Sequence, residues 1–202
     1  MTNDQQVKLM AVNILRVYDG ASSSAVAEGL DWYPRARALF EEIGAQIGHD
    51  SDRLIAAAAA ISPGVAWHLV PGYVAKLARR ERVSIPTYSM LNVQKARRCL
   101  KGEAPLDVLS GPKVRAFYLC VTGQDRTAVC VDGHAARIAR AEPGSIRGEG
   151  SAASRVTPRQ YALVAGAYGL AAAALDIRPD SCQAITWVAW RGREDRNLQL
   201  GV

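Results

Sequence analysis

The strongest local signals of the chain lie between Leu109 and Ala141, where the sequence reads LSGPKVRAFYLCVTGQDRTAVCVDGHAARIARA. Ser110 and Gly111 are turn formers, and Pro112 suits the first position of a helix. Apolar residues then recur at three- and four-residue spacing along one helical face, at Val114, Phe117, Tyr118 and Val121. The pattern predicts a turn followed by a helix that ends near Gly123.

A second helix is predicted after the apolar run 128–131. Asp132 follows this run at the point where the next helix, residues 133–141, begins. A carboxylate at such a position can accept hydrogen bonds from the backbone N–H groups that open the helix. The sequence therefore predicts a turn, a helix, a loop and a second helix, with Lys113 near the start of the first helix and Asp132 at the start of the second.

This segment resembles the helix-hairpin-helix DNA glycosylases, the superfamily of endonuclease III and 8-oxoguanine glycosylase. Their pattern is a glycine-rich hairpin ending in G-x-K, a helix, and a V-D-x-H signature that opens another helix. The matching residues here are Gly111-Pro112-Lys113 and Val131-Asp132-Gly133-His134, and Asp132 follows Lys113 by 19 residues. The spacing is close to that of family branches that carry both the lysine and the aspartate. The family hairpin reads roughly L-P-G-x-G-x-K, so a leucine, Leu109, replaces its first glycine here.

A further landmark of the resemblance is the stretch Leu54 to Trp67, LIAAAAAISPGVAW. In the family an apolar helix ends here in a serine-containing turn at the DNA groove, and a glutamine often follows the serine. The serine of this chain is Ser62, and a proline and a glycine fill the place of the glutamine. An extruded base needs an aromatic wall, so Trp67 and His68 join Ser62 as candidates for a base pocket or wedge. Core packing is the alternative for Trp67.

Glycosylase chemistry gives Asp132 and Lys113 their expected roles. An enzyme that acts on a base inside a duplex must extrude that base and cleave a glycosidic bond while positive charge develops on the sugar. A carboxylate beside the sugar stabilises this charge, and a neutral amine can attack the sugar carbon and form a Schiff base. The resemblance implies that both residues are catalytic and that the protein has glycosylase and lyase activity. The alternatives are an ordinary helix cap and a surface lysine.

The resemblance also implies a set of DNA contacts. The helix that opens with Asn92 has the N-x-x-K-A pattern that leads into the family hairpin, and it is strongly basic. A histidine two residues after the aspartate meets phosphate or orients the site in relatives, although packing is an equal alternative here. The candidates for DNA binding are Ser110, Gly111, Lys95, Arg98, His134 and Arg137.

Composition is consistent with a helical DNA-binding protein. The chain has 202 residues, of which 49% are hydrophobic and only 6% aromatic, and alanine is abundant. This balance favours closely packed helices over a β-sandwich. The net charge of +6 suits a polyanionic partner. We expect an all-α, two-lobed bundle over residues 1–202, with the helix-hairpin-helix core at 54–141 and the second lobe formed by 1–53 and 155–192.

Cysteine spacing and hydropathy restrict the metal sites and membrane segments that we expect in the protein. The four cysteines, at 99, 120, 130 and 182, form no C-x-x-C pair and no cluster at metal-ligand spacing. The four-cysteine iron–sulfur cluster of some relatives cannot be assembled from them. The N-terminus is too polar for a signal peptide, and no apolar run reaches the roughly 18 residues of a membrane span. We expect a soluble, cytoplasmic monomer that binds double-stranded DNA, contacts no membrane and needs no metal or cofactor.

Helical periodicity extends through the rest of the chain. Helices are predicted at 4–19, 34–47, 54–61, 157–175 and from about 180 to 190. Another is predicted at 65–80, with a disturbance at Pro71-Gly72, and a glycine- and serine-rich loop at 142–154. Gly102 is the predicted end of the basic helix.

Three functions are compatible with these features. The first is a glycosylase that excises a modified or damaged base and has lyase activity. The second keeps the fold but alters the base instead of excising it, as some relatives are thought to do in bacteriophage thymine hypermodification. The third is a helix-hairpin-helix module that binds DNA without catalysis.

Overall fold

The structure is a computed structural model that describes residues 1–86, 90–142 and 156–192, together with the backbone of residues 193–200. Within these ranges it contains helices and no β-strand, which confirms the predicted all-α class. The helices are α1 (Asn3–Asp19), α2 (Ser23–Ile47), α3 (Ser51–Ile61), α4 (Val70–Ala78), α5 (Met90–Leu100), α6 (Pro105–Val108), α7 (Pro112–Thr122), α8 (Gly133–Arg140), α9 (Pro158–Ala174) and α10 (Pro179–Leu200). A 3₁₀ turn, Trp67–Leu69, precedes α4.

The chain divides into two compact units. Unit 1 contains Met1–Tyr33 and Asp125–Val202, and unit 2 contains Pro34–Gln124. One boundary falls inside α2, and the other falls in the loop between α7 and α8. The unit that holds the hairpin therefore begins and ends earlier in the sequence than the expected core region, 54–141.

Unit 1 is built around α1, α8, α9 and α10. Its largest fully buried side chains include Ile14, Ile138 and Tyr168. Each buried aliphatic side chain of this size contributes about 1.5–3 kcal/mol relative to an exposed one. Both α1 and α9 begin with a capping box, formed by Thr2 with Gln5 and by Thr157 with Gln160. Local capping signals therefore start two of the helices that bury the core.

Unit 2 is organised on α3. Every residue from Leu54 to Ile61 is buried, as its run of five alanines predicts. The small side chains leave room for close approach on every side, and α3 packs against α4, α5 and α7. Asp50 caps the helix by accepting a hydrogen bond from the Arg53 N–H at 2.9 Å.

The prediction that a helix begins at Pro34 is wrong, because α2 already begins at Ser23. Proline inside a helix removes one backbone hydrogen bond, so a helix is expected to start at such a residue. Tertiary contacts stabilise the preceding segment. Gly29 lies directly against the backbone of Ile185, and the Tyr33 hydroxyl donates to Gln183 Oε1 at 2.8 Å.

Two other boundaries differ from the sequence prediction. Pro71 lies in the first turn of α4, where proline is tolerated, and the chain before it forms the 3₁₀ turn instead of a continuous helix from residue 65. The last helix, α10, continues past Gly192 to Leu200. The predicted loop at 142–154 lies outside the described residues except for Glu142.

In the described part of the chain, no single helix is both long and apolar enough to span a membrane. Taken together, α9 and the segment Pro179–Gly192, which meet at 97°, satisfy the length and composition requirement. Residues of α9 such as Val164, Ala167 and Tyr168 are fully buried in the core of unit 1.

Candidate functional site

Asp132 occupies the N-cap of α8, as predicted. Its backbone is extended, and its Oδ1 accepts a hydrogen bond from the Ala135 N–H at 2.8 Å. The side chain is half-buried, and among the described residues no second hydrogen bond or ion pair engages the carboxylate. Within the part of the chain that the structure describes, the second carboxylate oxygen of Asp132 is therefore available to a ligand.

A tyrosine fixes the chain just before Asp132. The Tyr161 hydroxyl donates to the carbonyl of Val129 at 2.6 Å and accepts from the Val131 N–H at 3.3 Å. The side chains of both valines are buried in unit 1. These hydrogen bonds and the burial of all four side chains of the run 128–131 thus hold the segment in place and position Asp132 where α8 can begin.

The other end of α8 is held by α1. The Asn13 side chain is buried and donates from Nδ2 to the carbonyl of Ala139 at 2.9 Å. That carbonyl is one of the last four of the helix, which have no partner within it. Both ends of the short helix that carries Asp132 are therefore fixed by residues distant in sequence.

His134 lies on the first turn of α8 and belongs to an aromatic cluster, which we define as Trp32, Tyr33, His134 and Trp187. The His134 and Trp187 rings meet edge to face at a centroid distance of 6.2 Å, and Trp32 and Trp187 meet at 6.3 Å. The Arg191 guanidinium lies 5.1 Å from the centroid of the Trp187 ring. Both tryptophans are partly exposed, so they offer π-surface that can stack on a nucleobase.

Sequence reasoning missed this cluster. The only local signal is the spacing of Trp187 and Arg191, which are four residues apart and so share a helix face. Trp32 comes from α2, which is distant from α8 and α10 in the chain. Helix packing within unit 1 brings these rings beside His134, and no short pattern encodes that.

The hairpin of unit 2 is formed by α6, residues 109–111 and α7. Gly111 is the N-cap of α7 and has φ 84° and ψ 140°, a conformation that side chains disfavour. Lys95 Nζ of α5 donates a hydrogen bond to Ser110 Oγ, so two predicted DNA-binding residues are brought together. Lys113 follows as the second residue of α7 and is half-buried. The glycine of the G-x-K pattern thus has the backbone geometry that explains its presence.

Arg98, another predicted DNA contact, is engaged within unit 2. Its Nε and Nη2 donate to Glu103 Oε2 at 2.8 and 2.6 Å. The hydrogen bonds from Arg98 lower the pKa of Glu103, and the same contact raises the pKa of Arg98. Both side chains are exposed, so a phosphate that binds Arg98 has to compete with this carboxylate.

The three candidates for a base pocket or wedge also lie in unit 2. Ser62 Oγ donates to the carbonyl of Ala59 at 3.1 Å, at the end of α3. The Trp67 ring lies edge to face with Phe40 and Phe117, at centroid distances of 6.2 and 5.7 Å. These contacts fit the packing alternative for Trp67, whereas His68 is exposed.

The predicted site residues are distributed over both units. Asp132, His134 and Arg137, which is half-buried, belong to unit 1, and all of the others belong to unit 2. The expectation from the resemblance that Lys113 and Asp132 are both catalytic stays a prediction. Over the described ranges, no three His, Cys, Asp or Glu side chains come together as a metal site.

No curated protein and no solved structure matches the chain. One family model, described as a family of unknown function, matches residues 1–194, which is nearly the whole sequence. The protein therefore belongs to the family DUF7178.

Proposed function

We propose that this protein is a DNA glycosylase of the helix-hairpin-helix type that excises a modified or damaged base, with Asp132 and Lys113 as its catalytic residues. The observation that carries the proposal is the placement of Asp132 as the N-cap of α8. Asp132 follows Lys113 by 19 residues, and Lys113 comes directly after Gly111 and Pro112 of the hairpin.

Asp132 is suited to stabilising a positive charge on the sugar. One oxygen is used by the Ala135 N–H, and this hydrogen bond fixes the orientation of the carboxylate. The carboxylate is therefore oriented before the glycosidic bond breaks, as electrostatic stabilisation of a transition state requires. As the base leaves with the bonding electrons, the carboxylate can stabilise the sugar cation or activate a water that attacks it.

Lys113 is the proposed nucleophile. Its Nζ would form a bond to C1′ of the sugar as the bond from C1′ to the base breaks, and loss of protons from the nitrogen with opening of the sugar ring gives an imine. Such an attack needs an unprotonated amine, so water must be excluded around it. Ala116 and Phe117, which follow Lys113 by three and four residues on the same helix, are both buried.

The hairpin is the proposed phosphate contact. Lys95 and Ser110 form a polar pair at its turn, and Gly111 has no side chain to obstruct the approach of a DNA strand. The aromatic cluster that contains His134 is a second surface, on unit 1, on which an extruded base could stack. The net charge of +6 supports binding to a polyanion.

The test is borohydride trapping on duplexes that carry a range of modified bases. Wild-type protein should form a covalent adduct on its substrate, and Lys113→Gln should abolish the adduct while leaving duplex binding largely intact. The matched control is Lys76→Gln, because Lys76 is an exposed lysine of the same unit. An adduct that persists in Lys113→Gln places the nucleophile elsewhere, and base release without any adduct means that water is the attacker.

A base-modifying reaction on the same fold is the second candidate. Leu109 is buried where the family hairpin has a glycine, and Ser62 is not followed by the family glutamine. Both differences affect residues that contact DNA or the base in glycosylases. Mass spectrometry of the nucleosides after incubation separates the two reactions, since excision leaves an abasic site and modification leaves an altered base. A duplex that is bound but unchanged favours a DNA-binding module without catalysis.

A further inference from the structure

A cavity of about 720 Å³ opens on unit 2, and its lining residues include neither of the predicted catalytic residues. It lies where the C-terminal ends of α4 and α5 meet the start of α3. Leu77, Ala78 and Leu100 supply apolar lining. The polar lining comes from His49, Arg53, Arg80, Glu81, Arg97 and Lys101. Its volume is in the range of sites that hold small molecules or cofactors.

The cavity carries an excess of positive charge. Its four cations, Arg53, Arg80, Arg97 and Lys101, face a single carboxylate, Glu81. Among the described residues none of the four cations makes an ion pair, whereas the neighbouring Arg98 is held by Glu103. Four cations around one opening repel each other unless an anion lies between them. The lining therefore matches an anionic ligand.

Arg80 occupies a position where the backbone favours glycine. The Glu81 N–H donates to the carbonyl of Lys76 and the Arg80 N–H donates to that of Leu77, both at 3.0 Å, which is the glycine-type ending of a helix. The same ending closes α5, where the corresponding residue is Gly102 with φ 98°. Arg80 takes this role with φ 61°, which is unfavourable for a residue with a side chain. This backbone conformation would account for a glycine at position 80 but not for an arginine. The side chain of Arg80 must therefore have a role of its own.

Arg53 is positioned against the end of α5. A Cβ atom on Gly102 would lie 3.0 Å from Cζ and from one terminal nitrogen of Arg53, so the guanidinium rests on the bare backbone of this turn. Gly102 thus leaves space for a cation at the cavity as well as ending its helix.

The cavity differs from the hairpin surface. Arg97 follows Lys95 by two residues, which is about 200° around a helix, so the two side chains leave α5 in different directions. Lys95 is directed to Ser110 of the hairpin, and Arg97 lines the cavity. The hairpin residues expected to contact DNA do not line the cavity.

We propose that this cavity binds a phosphate-bearing ligand of about nucleotide size. The cations bind the phosphate groups, and the apolar lining accommodates the less polar part of the ligand. The ligand is either a free nucleotide or a nucleotide unit of a DNA strand, since both present the same phosphate chemistry.

The experiment measures binding of inorganic pyrophosphate and of dATP by calorimetry, and binding of a 12-base-pair duplex by fluorescence anisotropy. The test variants are Arg80→Gly and the double variant Arg97→Ala with Lys101→Ala. Arg79→Ala is the matched control, because it removes the adjacent cation, which does not line the cavity. Arg80→Gly keeps both backbone hydrogen bonds and relieves the unfavourable φ, so its Tm should equal or exceed that of the wild type. A loss of binding in this variant cannot then be attributed to unfolding.

Loss of one charged contact should weaken binding roughly tenfold to a hundredfold. If the ligand is a free nucleotide, Arg80→Gly weakens pyrophosphate and dATP binding and leaves duplex binding unchanged. If it is a DNA strand, Arg80→Gly weakens duplex binding, and pyrophosphate competes with the duplex in the wild type. The proposal is overturned if both test variants bind all three probes as Arg79→Ala does, or if the wild type binds none. Borohydride trapping by Lys113 is a separate readout, so the failure of one proposal leaves the other open.

Discussion

Asp132 combines a structural and a proposed chemical role in one carboxylate. Its Oδ1 caps α8, and its charge would stabilise the sugar cation. A substitution that removes the side chain affects both roles, so loss of activity in Asp132→Ala would not identify the chemistry. Asparagine caps a helix about as well as aspartate but has no charge, so Asp132→Asn separates the capping role from the chemical role.

We expect Asp132→Asn to change the free energy of unfolding by less than about 0.5 kcal/mol and Asp132→Ala to lower it by about 1 kcal/mol. Base release should be lost in both variants. Asp50→Asn is the control, since Asp50 caps α3 through an equivalent hydrogen bond of 2.9 Å. Urea denaturation and a base-release assay measure the two effects. Wild-type rates of base release in Asp132→Asn would rule out the carboxylate as a catalytic group.

Buried ionisable groups should make the fold sensitive to alkali. Burial raises the pKa of Cys99 to about 11 and of Cys182 to about 12, and it raises the pKa of Tyr168 as well. The ionised forms are therefore unfavourable in the folded state. The stabilisation is complete below the pKa of the unfolded thiol and phenol groups, and it is lost as the pH rises towards the pKa values of the folded state.

The free energy of unfolding should therefore decrease above about pH 8.5, by up to about 1.4 kcal/mol per pH unit for each buried group. Urea denaturation at pH 7, 9 and 10.5 measures the decrease. Cys182→Ala removes one of these groups and should make the decrease shallower. A free energy of unfolding that is constant over this range would contradict the burial of these groups.

At the scale of the helices, glycine acts in two different ways. Gly29 allows α2 to lie against α10, because a Cβ atom there would come within 2.4 Å of Ile185 Cα. Gly169 lies inside α9, and nothing lies within 4 Å of the position of its Cβ. The first glycine permits a packing contact, whereas the second only weakens its helix.

Gly29→Ala should lower the free energy of unfolding by about 1–3 kcal/mol or more, because backbone atoms of α10 must move. Gly169→Ala is the matched control and should raise it by about 0.5–1 kcal/mol, the difference in helix propensity. Thermal and urea denaturation compare the two variants. Equal effects of the two substitutions would mean that the close contact between α2 and α10 is absent in solution.

At the scale of the whole molecule, charge should govern DNA affinity. With a net charge of +6, the protein should lose duplex affinity steeply as salt rises, because binding releases counterions from the phosphates. Lys95→Ala should reduce the slope of log K against log salt by about one. Lys8→Ala, which removes an exposed lysine of α1, is the control. Binding that is insensitive to ionic strength would contradict a phosphate-tracking surface.

The sequence by itself determined those features that depend on neighbouring residues. Helical periodicity and alanine content gave the all-α class, the buried run of α3 followed from its composition, and the N-cap role of Asp132 followed from a carboxylate placed after an apolar run. Gly102 ends α5 as predicted, because only glycine reaches positive φ without strain. In each case the hydrogen bonds or side chains involved lie within a few residues of one another.

Only the tertiary structure decided what depends on packing between distant segments. The part of α2 before Pro34 packs through Gly29 against Ile185, and the aromatic cluster at His134 needs residues from three helices. The basic cavity of unit 2 likewise draws its cations from three separate stretches. Such contacts form because distant helices bury their apolar faces together, and the spacing of residues along the chain does not record which faces will meet.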